Sequence, residues 1–96
     1  ICAVCACHVF HQYTLRIINA DSNGLMQHLL DKGIPCAIYY PIPLHSQKAY
    51  LDSRYKEEDF PVTNQLVKEV LSLPMHTELD DEQIKFITDS VLEFLK

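Results

Sequence analysis

The sequence predicts a two-layer α/β domain of the α+β kind, in which three short strands form a small sheet that helices cover on one face. Three observations predict it. The chain has 96 residues, enough for one domain with a modest core. Its apolar residues recur at two-residue spacing in some stretches and at three- and four-residue spacing in others. The stretches so marked run strand, helix, strand, loop with helix, short strand, helix, with no internal repeat and no interdomain linker.

The first strand is HVFHQYTLRI (8–17), whose alternation puts Val9, His11, Tyr13, Leu15 and Ile17 on one face and Phe10, Gln12, Thr14 and Arg16 on the other. Asp21 and Ser22 can cap a helix running to about Lys32, which buries Leu25, Met26, Leu29 and Leu30, and Gly33 is placed to end it. IPCAIYYP (34–41) is rich in β-formers and predicts a second strand with Ile34, Cys36, Ile38 and Tyr40 on one face. Pro41 and Pro43 then force a loop. A short helix is expected within 46–55, and KEED (56–59) as a solvated loop. Pro61 suits the first turn of a helix with Leu66, Val67, Val70 and Leu71 as its buried stripe, and LSLP (71–74) predicts an extended exit. The last helix has Asp80 as cap, Gln83 three residues on, and a staple pair in Leu79 and Ile84. Its buried positions are Ile84, Ile87, Val91 and Phe94.

Composition narrows the function classes. The chain is 48% hydrophobic with two glycines, which suits a globular domain. A formal charge of −5, with eight scattered Lys and Arg, lacks the basic footprint of a nucleic-acid binder. No apolar run approaches the roughly 20 residues of a membrane helix, and ICAVCAC resembles no signal peptide. A cytoplasmic setting with reduced thiols is the expectation, since four cysteines with three crowded together make a poor disulfide framework. The chain has no initiating methionine, which fits a piece of something longer.

Three places could carry chemistry. Cys2, Cys5, Cys7, His8 and His11 contain enough thiolates and imidazoles for a tetrahedral zinc site. No second knuckle follows downstream, and strand parity turns His8 away from Cys5, Cys7 and His11, so no metal ligand is assigned. Cys36 has no nucleophile signature around it and is expected to be buried and inert. YYPIPLH (39–45) puts two tyrosines and a histidine on a stiff loop leaving a strand, where ligand-contacting side chains are often held. Core packing for Tyr39 or Tyr40 and an exposed or capping His45 are the plainer alternative.

The stretches HVFHQYTLRI, LMQHLLDKGIPCAIYYPIPLHSQKAY, DFPVTNQLVKEVLSLPMH and ELDDEQIKFI together resemble the C-terminal region of DegT/StrS-type nucleotide-sugar aminotransferases. These are pyridoxal-phosphate enzymes with the aspartate-aminotransferase type of fold. The resemblance begins at His8 and runs to about residue 96, whereas residues 1–7 carry none of its motifs. It implies a small, mainly antiparallel domain that packs beside a large cofactor-binding domain in a dimer. The Schiff-base lysine and the acidic partner of the pyridine nitrogen would lie in that large domain, so the resemblance implies no catalytic residue and no cofactor in this chain. His45 matches a histidine near the sugar-nucleotide substrate. Tyr40, His11, Gln12 and Tyr13 match positions near the domain interface or the cleft. Strand parity sends Gln12 and Arg16 away from the apolar side, toward a polar cleft, and leaves His11 and Tyr13 as core residues.

The function expected is therefore a domain that contributes nucleotide-sugar and interface contacts without transaminating alone. An isolated small domain would expose the face that meets the large one, so self-association is expected. A freestanding ligand-binding module, or a metal-binding module built on the amino-terminal cysteines, are the alternatives.

Overall fold

A computed structural model of the chain describes residues 5–7 and 9–96. Two strands, β1 (Tyr13–Arg16) and β2 (Val70–Leu73), and three helices, α1 (Ser22–Asp31), α2 (Pro61–Glu69) and α3 (Asp81–Leu95), make up its regular structure. Single 3-10 turns occupy Leu44–Ser46, Lys48–Tyr50 and Glu57–Asp59. The strands pair antiparallel in the register Tyr13↔Leu73, Thr14↔Ser72, Leu15↔Leu71 and Arg16↔Val70. Leu15 and Leu71 thus share the face that meets the core, where Ile17, Leu25, Leu29, Ile34, Leu71 and Val91 are buried together. Thr14 and Ser72 share the other face and join through their hydroxyls at 2.9 Å.

The helices form where their caps lie. Asp21 accepts the Asn23 amide at 3.0 Å and opens α1. Gly33, at φ 75°, closes it in a Schellman motif, with Gly33 N–H donating to Leu30 O at 2.9 Å and Ile34 N–H to Leu29 O at 2.9 Å. Gly24 has a packing reason: a Cβ there would stand 2.8 Å from Asp21 Oδ2 and 3.2 Å from Phe94 Cζ, where α1 meets the end of α3. Asp80 and Gln83 make a reciprocal capping box at 2.8 and 3.1 Å that starts α3. Leu30 and Ile84, expected in the core, lie on the surface instead. They sit at the edges of their apolar stripes, where neither helix has a partner layer over it.

The strands depart further from expectation, and proline explains why. β1 was expected over 8–17 and pairs over only four residues, because its partner runs into Pro74 after Leu73 and a proline cannot donate to the ladder. The strand expected at 34–41 is reduced to one bridge, Ala37↔Ser72. Pro35 withholds a donor before that bridge and Pro41 turns the chain after it. The sheet therefore has two strands and not three. Val70 and Leu71 belong to β2 and not to the stripe of α2: the helix ends at Glu69, and Val70 is already extended at φ −86°, ψ 144°. The helix expected within 46–55 is the one turn at Lys48–Tyr50. None of the described helices is long and apolar enough to cross a membrane.

Candidate functional site

The bridge at Ala37 builds the main concavity. Ala37 N–H donates to Ser72 O at 3.1 Å and Ser72 N–H to Ala37 O at 2.8 Å. This ties the segment leaving Gly33 to the free side of β2. The unpaired lead-in to β1 passes alongside, because Pro74 has ended the ladder. Between them lies a groove of about 500 Å³, to which the lead-in gives His11 and Gln12, the bridged segment Cys36 and Tyr39, and β2 with its exit Ser72 and Met75. A second groove of about 330 Å³ opens across Leu73 and Pro74, between Tyr13 and the Leu79, Ile84 and Ile87 side chains at the start of α3.

His11 and Gln12 thus face one groove together. The alternation that would separate them holds only inside a paired strand, and pairing begins at Tyr13. Neither His11 nor Tyr13 is a core residue: His11 is exposed, and Tyr13 is half in water at 51% exposure. Arg16 lines neither groove; its guanidinium pairs with Glu69, which also accepts from Gln65 Nε2 at 2.9 Å. These contacts, Arg16 first, hold the Glu69 carboxyl below its usual range. Cys36 donates its thiol to Met26 O at 3.6 Å, and burial pushes that thiol up, away from thiolate chemistry.

His45 stands apart from both grooves. Its ring stacks on Phe60 with centroids 4.4 Å apart and planes 20° from parallel, and its Nε2 is buried with no protein partner. Tyr40 is 70% exposed, with its ring edge-on to Tyr39 at 5.7 Å. The six sequence-derived site residues therefore fall in four places: His11 and Gln12 together, Tyr13 across Pro74 from them, Arg16 on Glu69, and Tyr40 and His45 on the loop. Ser72 and Met75 also line the main groove, and neither is among the six. The L-S-L-P-M-H string that contains them was the available signal. Among the described residues no three His, Cys, Asp or Glu side chains come together as a metal site. Cys2 and His8 lie outside the described residues.

The fold of this chain matches part of solved aminotransferases. Ninety per cent of the chain matches 23% of DesV from S. venezuelae, solved with a ketimine intermediate, at a TM-score of 0.80 and 30% identity. A DegT DnrJ EryC1 StrS aminotransferase from Brucella abortus matches over 86% of this chain and 22% of its own, with a TM-score of 0.76 and 36% identity. The sequence signature of the DegT/DnrJ/EryC1/StrS aminotransferase family covers residues 3–92, and the chain belongs to that family. A pleiotropic regulatory protein of Geobacillus stearothermophilus is 42% identical over 89 residues, which are 93% of this chain and 23% of that protein. The UDP-2-acetamido-2-deoxy-3-oxo-D-glucuronate aminotransferase of Pseudomonas aeruginosa is 42% identical over 79 residues, 82% of this chain and 21% of the enzyme. The chain spans about a fifth of the length of the relatives it matches.

The family is one of pyridoxal-phosphate-dependent aminotransferases. A lysine that forms an imine with that cofactor must be deprotonated by a desolvated or cationic setting. Lys32 and Lys85 are committed to Glu93 and Asp89. Lys68 lines a groove but is exposed, as are Lys48, Lys56 and Lys96. The residues described do not fit a pyridoxal phosphate site.

Proposed function

We propose that this chain is the C-terminal, substrate-side part of a nucleotide-sugar aminotransferase, with pyridoxal phosphate and its lysine supplied by polypeptide outside the chain. The observation that carries the reading is the family match along nearly the whole chain, confined to about a fifth of each relative. His45 is the residue that the family resemblance marks for a substrate contact. Stacking on Phe60 fixes its ring, and its Nε2, enclosed without a protein partner, becomes available to a substrate where the loop shifts. Tyr40, His11, Gln12 and Tyr13 supply further contacts to sugar nucleotide or to the domain interface. Arg16 braces the start of β2 through Glu69. Cys5, Cys7 and Cys36 are free thiols, which fits a cytosolic setting.

The test is a graft. The matching stretch of the Pseudomonas enzyme is replaced by this chain, and the product is assayed for cofactor absorbance and for amino transfer to the UDP-linked keto sugar that enzyme uses. The expected result is a cofactor-loaded enzyme that turns over, with His45→Ala lowering kcat/KM about tenfold, the value of one hydrogen bond at roughly 1.4 kcal/mol. A folded, cofactor-loaded graft without turnover, or an unchanged His45→Ala variant, would overturn the reading.

A further inference from the structure

An asparagine followed by glycine carries a latent reaction of its own. The backbone nitrogen of the following residue can attack the side-chain amide carbon and close a five-membered ring, and glycine, having no Cβ, leaves that nitrogen open to approach. The chain has three asparagines, at 19, 23 and 64, and only Asn23 precedes a glycine. Gly24 is also required where it stands, because a Cβ there would crowd Asp21 and Phe94. The packing that demands a glycine thus creates the reactive pair.

A helix interior suppresses this reaction, since its amides are hydrogen-bonded and its backbone is held in one conformation. The first turn of α1 leaves the pair open. Gly24 N–H belongs to the helix start, where amides have no carbonyl a turn behind them, and it has no partner among the described residues. Asp21 takes the amides on either side of it, Asn23 N–H at its carboxylate and Leu25 N–H at its carbonyl, each at 3.0 Å. The Asn23 side chain is exposed, and its amide makes no hydrogen bond among the described residues. The positive end of the helix dipole favours the nitrogen anion that attacks. Asn64 is the contrast: it is half-buried in α2, with its Nδ2 donating to Glu57 O at 2.7 Å.

We propose that Asn23–Gly24 is a self-modification site, open in the folded domain, at which deamidation undoes the contact between α1 and α3. The Gly24 nitrogen loses its proton to hydroxide and bonds to Asn23 Cγ. The Cγ–Nδ2 bond breaks, and ammonia leaves with a proton taken from water. A second water then opens the ring, with no change of oxidation state. Attack at Cγ leaves aspartate, and attack at the backbone carbonyl leaves isoaspartate, whose side-chain methylene has joined the main chain. Aspartate keeps the backbone path and suits a helix start. Isoaspartate lengthens the path between the Asp21 cap and the seat of Gly24, where Phe94 Cζ stands 3.2 Å from the position of a Cβ. The start of α1 cannot then keep both its cap and its packing on α3.

The experiment is ageing of this chain at physiological temperature and mildly alkaline pH, followed by peptide mapping for a gain of about 1 Da, the exchange of NH2 for OH. A synthetic peptide of residues 20–28 gives the rate without the fold. Conversion at Asn23 in the folded chain should lie within about tenfold of the peptide, since helix ends open at little cost. It should outrun Asn19 and Asn64 by at least about tenfold, as neither precedes a glycine. A folded chain that lags the peptide by more, or equal conversion at Asn19, would overturn the site. Asn23→Gln, whose longer side chain must close a larger ring, should remove the gain and keep the parent melting temperature. It is a better control than Gly24→Ala, whose Cβ would itself disturb the fold. The aged, isoaspartate-rich protein should melt below Asn23→Asp, which carries the same charge on an unaltered backbone. Coincident melting of those two would overturn the link to the α1–α3 contact.

Discussion

Arg16 and Glu69 show how far residue-level reading reaches. Alternation placed Arg16 on the outward face of β1, which is correct, and that face holds a carboxylate at the end of α2. The carboxylate is fixed by the tertiary fold, and nothing in the local pattern around Arg16 signals it. Because Glu69 has its folded pKa lowered from 4.5, the pair adds stability above that value and loses it as pH falls through the lowered one. Arg16→Ala should therefore shift the urea midpoint downward near neutral pH, and the gap from the parent chain should close as pH falls through the lowered Glu69 value. A gap that stays constant with pH would show that the pair contributes nothing through charge. His45 illustrates the opposite case. Its matching motif marked it, but no spacing rule could show that Phe60, fifteen positions on, would stack on its ring.

Helices were legible as elements because their ends are written in adjacent residues. Asp21, Gly33, Asp80 and Gln83 act within one turn of where they stand. Asp80→Ala should cost about 1 kcal/mol, the usual loss for a cap, seen as a lower melting temperature with little change in the sheet. Strands were less legible because each depends on a distant partner. The length of β1 is decided by Pro74, and the strand expected at 34–41 is cut to a bridge by Pro35 and Pro41. The groove that brings His11 beside Gln12 exists only because of that shortening, so the site was hidden for the same reason as the strand ends. At the centre of the packing, Leu25 is fully buried against both the sheet and α3. Leu25→Ala should destabilise the chain by roughly 2–5 kcal/mol, enough to unfold much of it in a circular-dichroism melt.

At the scale of the molecule, six buried apolar residues among those described make a small core. A radius of gyration of 16.1 Å compares with about 12.5 Å for a compact domain of this length. Length and composition predicted a modest core correctly, but not that so much aromatic surface would face outward. Composition counts residues without saying which side they face. A chain so open should unfold with a shallow urea slope, near the low end of about 1–3 kcal/mol/M. The slope for this segment should steepen once it is grafted into the longer enzyme, and equal slopes would argue that the chain is already complete as a folding unit.

The pairing of β1 with β2 also sets an order of events in time. Thr14 and Ser72 are 58 residues apart, and β1 has no other strand to join among the described residues. At about 5–20 residues per second of synthesis, β1 waits roughly 3–12 s for its partner to be made. During that interval α1 can form from its own caps, but Leu15 and Ile17 have no sheet to enter. They are the stretch that a nascent-chain chaperone would hold, and where misfolding of this chain would begin.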